Sequence, residues 1–130
     1  MCKMLLSINP EHVINILQGN KTYEYRKILC KRKVDTIVIY ATCPVQKIVG
    51  EVEVLEAIEM DKEKLWKITE KKSGITKEFY DKYYEGKDTA VAYKLGEVIK
   101  YDEPHSLSDI GIKMAPQSYM YISENLILAN

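Results

Sequence analysis

The sequence has 130 residues, 46% hydrophobic and 29% charged, which excludes a disordered chain and suits a single domain, 1–130. Its formal net charge of zero excludes a general pull on polyanions, and no apolar run nears the ~18 residues of a membrane helix, so no membrane partner is expected. Cys2, Cys30 and Cys43 form no C-x-x-C pair and have only His12 and His105 beside them, so no metal, cofactor or disulfide framework is expected; without a signal-peptide pattern, the expected location is cytoplasmic.

Lys3 to Ile8 reads as a short apolar strand. Asn9-Pro10 then supplies an N-cap and a first helical residue, predicting a helix from Pro10 to about Gln18 with Val13, Ile16 and Leu17 on its buried stripe. Gly19 stops that helix, and a short strand begins at Thr22. Ile28 to Lys33 reads as a polar loop or wide hairpin. Thr36 to Ala41 is continuously apolar and β-branched, as in a strand covered on both faces.

Ile48 to Met60 predicts a long strand whose alternation slips at Leu55, where a bulge or bend is expected. Asp61 caps a helix through about Lys72, Ser73-Gly74 breaks it, and Thr76 caps a second helix closed by Gly86. Ala90–Leu95 and Val98–Tyr101 read as two strands joined at Gly96-Glu97. Leu107–Gly111 reads as a helical turn, Ser118–Ile122 as a last strand and Glu124–Asn130 as a tail. The sum is an α+β fold: a mixed, mostly antiparallel sheet of about six strands, closed into a β-barrel, with about three peripheral helices.

Charge is unevenly placed. Lys21, Arg26, Lys27, Lys31, Arg32 and Lys33 face the single acid Glu24 between positions 21 and 33, and both arginines of the chain lie there. In an extended segment Glu24 and Arg26 share one face, with Tyr23 and Tyr25 on the other. Arginine offers a planar, two-pronged donor to phosphate, and lysine a point charge. The same pair also reads as a surface ion pair. Lys27, Lys31, Arg32 and Lys33 read equally as phosphate contacts or as a solvated hairpin. Phe79, Tyr80, Tyr83 and Tyr84 read as a helix face packed on a sheet, with a stacking platform for single-stranded nucleic acid as the alternative.

The string Gly19-x-Lys21-x-x-Glu24-x-Arg26 after a strand and a helix resembles the signature of the ASCH domain, a member of the PUA-like superfamily. Leu6-Ser7-Ile8-x-Pro10, Ile39-Tyr40-Ala41, Ile48-Val49-Gly50 and Ala115-Pro116-Gln117-Ser118 extend the resemblance over nearly the whole chain. It implies a small barrel with a cleft beside the first helix, and a domain that binds RNA or a nucleotide, with a regulatory role in transcription or translation. The ligand-binding candidates are Ser7, Lys21, Glu24, Arg26, Tyr40 and Gln117; Ser7 reads equally as a turn cap, Tyr40 reads first as a core tyrosine with a satisfied hydroxyl, and Gln117 rests on the resemblance.

Two alternatives remain open. One is an amidohydrolase acting on an acylated, modified cytidine nucleoside, or a nuclease, with Lys21 and Glu24 as its catalytic pair. The hydrolase branch places a threonine where this chain has Glu24. The other is a coactivator-like module whose partner is a protein in gene regulation.

Overall fold

The computed structural model describes residues 2–123. In chain order these are β1 (Lys3–Ile8), α1 (Pro10–Leu17), β2 (Tyr23–Arg26), β3 (Thr36–Ala41), β4 (Lys47–Asp61), α2 (Lys62–Thr69), α3 (Lys77–Tyr83), β5 (Thr89–His105) and β6 (Tyr119–Ile122). Single 3₁₀ turns follow α2 at Glu70–Lys72 and β5 at Leu107–Ile110. The expected tail, Glu124–Asn130, lies outside the described residues.

The local signals act as their chemistry dictates. Asn9 Oδ1 accepts from the Glu11 amide at 2.9 Å, Asp61 from the Glu63 and Lys64 amides, and Thr76 Oγ1 from the Phe79 amide at 3.1 Å. At the end of α1, Gly19 adopts φ +80°, and the amides of Asn20 and Lys21 both return to the Asn15 carbonyl. That turn delivers Lys21 beneath the helix.

One six-stranded sheet runs β2-β5-β4-β3-β1-β6. Among the described residues only the β1–β3 pairing is parallel; the other four are antiparallel. The expected barrel does not close: β2 and β6 are the two ends, with no backbone ladder between them among the described residues. Both end strands are four residues long. A side chain spans part of the gap instead, Arg26 reaching from β2 to Ser7 and Ser118.

Three further expectations change. The segment between β2 and β3 is not a hairpin, because β2 pairs with β5 and not with β3. The loop nonetheless contributes Cys30 and Val34 to the core. Residues expected as two strands on either side of Gly96-Glu97 form one, β5, which follows bulged β4 along its length. The slip foreseen at Leu55 is present, as a register shift between Val54 and Glu56.

Alternation along β3 sends Ile37, Ile39 and Ala41 to one core and Val38 and Tyr40 to another on the opposite face. Val13 and Ile16 of α1 complete the first. The Leu107–Ile110 turn covers the second. A third cluster, Tyr25, Leu65, Tyr80 and Tyr84 with Ala90 and Ala92, seats α2 and α3 on β5. Of the two, α3 forms one wall of a cleft, and α1 forms another.

Candidate functional site

A cleft of about 160 Å³ opens where α1, the end of β1, β2 and α3 converge. Ser7 comes from β1, His12 from α1, Lys21, Glu24 and Arg26 from the turn and β2, and Phe79 and Tyr83 from α3.

Lys21 lies deepest, with 2% of its surface exposed. Its Nζ donates to the Ser73 carbonyl at 2.5 Å and sits 4.8 Å from the centre of the Tyr25 ring. Gly74 (φ +70°) makes this fit possible, since a Cβ there would come within 2.7–2.9 Å of the lysine stem. Burial lowers the Lys21 pKa to about 8; Glu24 opposes the shift and Arg26 adds to it. Desolvation therefore outweighs the carboxylate beside it.

Glu24 is buried at 5% exposure. Arg26 donates to its Oε2 through Nε at 3.1 Å, and Nη2 lies 3.0 Å from the same oxygen. Nη2 also donates to the Ser7 carbonyl at 2.8 Å, and Nη1 to Ser118 Oγ at 3.3 Å. Ser7 Oγ donates to the Pro116 carbonyl at 2.7 Å. The Arg26 guanidinium is thus a clamp between β2, β1 and the start of β6, and much of its donor capacity is used inside the protein. The Glu24–Arg26 pair is not a surface ion pair.

Of the residues expected to form one site, Ser7, Lys21, Glu24 and Arg26 come together. Tyr40 does not join them, being buried with Leu5, Val38 and Tyr101 in the core on the other face of the sheet. Gln117 is exposed in the loop before β6 and does not line the cleft. Its neighbour Ser118 makes the contact to Arg26. Lys27 Nζ lies 4.9 Å from the centre of the Tyr83 ring, at the cleft rim. Arg32 stacks 4.4 Å from the Tyr121 ring, beside β6, and Lys31 and Lys33 are exposed.

The cleft also takes His12, which the sequence did not single out for a site, and two of the four aromatics that it did. His12 lines it from α1. The α3 aromatics divide by face: Tyr80 and Tyr84 are buried, while Phe79 (49% exposed) and Tyr83 line the cleft with rings 12° from parallel. An i, i+4 spacing was the available signal for that pair. No group of three potential metal ligands gathers among the described residues, and no described helix is long and apolar enough to cross a membrane.

The ASCH domain family matches residues 6–104. "Large ribosomal subunit protein uL22" of Ureaplasma parvum is 37% identical over 121 residues, 92% of this chain but 39% of that protein. The "ASCH domain-containing ribonuclease" of Zymomonas mobilis is 29% identical over 92 residues, 70% of this chain and 62% of that one. The chain thus spans less than two thirds of either relative's length. The crystal structure of ASCH from Zymomonas mobilis superposes with a TM-score of 0.86 at 25% identity, over 94% of this chain and 88% of that one.

Proposed function

The chain belongs to the ASCH domain family, and on that premise we propose that its cleft binds RNA or a nucleotide. One observation carries the reading: a buried lysine faces into a small cleft walled by the aromatic rings of Phe79 and Tyr83. Such rings stack on bases of any sequence, and a desolvated ammonium attracts an anion or a carbonyl oxygen strongly. A volume of about 160 Å³ lies below the ~300 Å³ at which drug-sized pockets begin, which suits one base and not a duplex. Lys27, at the rim, is the basic-loop residue best placed for a phosphate. The relative named as a ribonuclease is consistent with an RNA ligand. A regulatory use of that binding, and any protein partner, belong to the family resemblance and not to the cleft.

The test is fluorescence anisotropy with a short single-stranded RNA at several salt concentrations. Affinity is expected to fall with salt, and Lys27→Ala to lower the log–log slope by ~0.7. Lys21→Ala is expected to abolish binding. Binding that is indifferent to Lys21→Ala would refute the reading.

A second reading, cleavage of the bound molecule, is favoured by the same lysine. With its pKa near 8, a fraction of Lys21 is neutral at physiological pH and able to accept a proton. RNA cleavage, or release of cytidine from an acylated nucleoside, that rises between pH 7 and 8 and is lost in Lys21→Ala would support it. Glu24, held by Arg26, enters this reading as a positioning residue.

A further inference from the structure

His12 brings an imidazole ring into the cleft. His12 Nδ1 is buried and has no hydrogen-bond partner among the described residues. The ring packs edge-on against Phe79, 5.5 Å between centroids and 76° between planes. It lines both the cleft and a neighbouring recess bounded by Glu11, Asn20, Ser73 and Thr76.

A neutral imidazole carries its proton on one nitrogen only. Placed on Nδ1, that proton would make an orphaned buried N–H, the unsatisfied group that folded proteins most rarely tolerate. Placed on Nε2, it gives the second nitrogen a donor function and leaves a bare lone pair in the buried position. The surroundings favour the neutral ring. Burial is the main cause of its lowered pKa and Lys21 and Arg26 add to it, while Glu24 and Glu11 pull the other way.

We infer that His12 is a specificity-determining residue: with Nδ1 buried, the other ring nitrogen offers an uncharged N–H to an acceptor oxygen of a ligand in the cleft that the residue lines. The inference rests on the nucleotide reading above. The acceptor is a base carbonyl or a phosphate oxygen, which share this chemistry. A neutral donor differs from Lys21 in a measurable way, because it adds affinity without releasing counterions.

Uridine, uridine 5′-monophosphate and inorganic phosphate are titrated into wild-type protein, His12→Phe and His12→Gln, followed by amide NMR. His12→Phe keeps an aromatic ring against Phe79 and removes the donor; it is expected to bind about fivefold more weakly, with an unchanged salt slope. His12→Gln keeps a donor and is expected to stay within about twofold of wild type. A loss seen with uridine identifies the base carbonyl, and a loss confined to the two phosphate-bearing probes identifies the phosphate.

The His12 ring nitrogen spectrum of the free wild-type protein is expected to be that of an Nε2-protonated, neutral ring at pH 7. A spectrum of Nδ1–H or of imidazolium, or a His12→Phe protein that binds like wild type, overturns the inference. Wild-type protein that binds none of the probes refutes the nucleotide reading and the selective role of His12 with it, while the ring spectrum still reports the tautomer separately.

Discussion

Arg26 ties together two strands that never pair: from β2, at one end of the sheet, its Nη2 donates to the carbonyl of Ser7 on β1 at 2.8 Å. The same guanidinium is held by Glu24, so the carboxylate fixes the clamp and the clamp fixes one side of the cleft. Removing one partner of a buried pair strands the other charge. Glu24→Ala is therefore expected to cost about 3 kcal/mol in urea unfolding. The double variant Glu24→Ala/Arg26→Ala should cost less than the sum of the two single changes, since it strands no charge. Strict additivity would show that the pair does not act as a unit.

Lys21 links stability to pH. Its pKa is about 8 in the folded protein and 10.5 ordinarily, so between those values the unfolded state binds more protons and stability rises with pH. Below about 8 both states are charged and the cost of burial is fully present. Relative to Lys21→Met, the wild type is expected to gain roughly 3 kcal/mol between pH 7 and 10.5. Tyrosine titration affects both proteins alike and cancels in the difference. A difference that does not change with pH would mean that Lys21 is not desolvated.

Gly74, in the connection between α2 and α3, closes over that lysine. Alanine there meets the Lys21 stem at 2.7–2.9 Å and must also hold φ +70°. Gly74→Ala is expected to destabilise by at least about 1 kcal/mol. By pushing the loop away it should rehydrate Lys21, raising its pKa from about 8 towards 10.5 in an NMR titration. A fall in stability with an unmoved pKa would separate backbone strain from the seal over the lysine.

Tyr84 joins the α3 wall to β2. Its hydroxyl lies 2.7 Å from the Arg26 carbonyl and 3.0 Å from that of Val91, residues that face each other across the β2–β5 ladder. Tyr84→Phe leaves buried carbonyls short of a donor, at a cost of about 1–3 kcal/mol by thermal or urea unfolding. Tyr83→Phe, at the cleft edge, serves as the control and is expected to be close to neutral in stability.

The sequence by itself determined the parts written in neighbouring residues. Asn9-Pro10 started α1 and Gly19 ended it, the β-branched run at Thr36 made a strand buried on both faces, and broken alternation at Leu55 marked a bulge. The G-x-K-x-x-E-x-R string placed Lys21, Glu24 and Arg26 on one short turn and strand because those positions lie within six residues of chain.

Only the tertiary structure decided what those residues meet. Lys21 is buried because Ser73 and Gly74, far along the chain, close over it. Arg26 became a clamp because the sheet curves until Ser7 and Ser118 come within its reach, though not far enough for β2 and β6 to pair as a barrel. Tyr40 fell to the opposite core through the two-residue period of β3, and His12 and Phe79 met through the packing of α3 near α1. Periodicity says which face of an element is apolar, but not which distant element will cover it. The cleft is made of such long-range meetings, so the sequence supplied its charged floor and the fold supplied its walls.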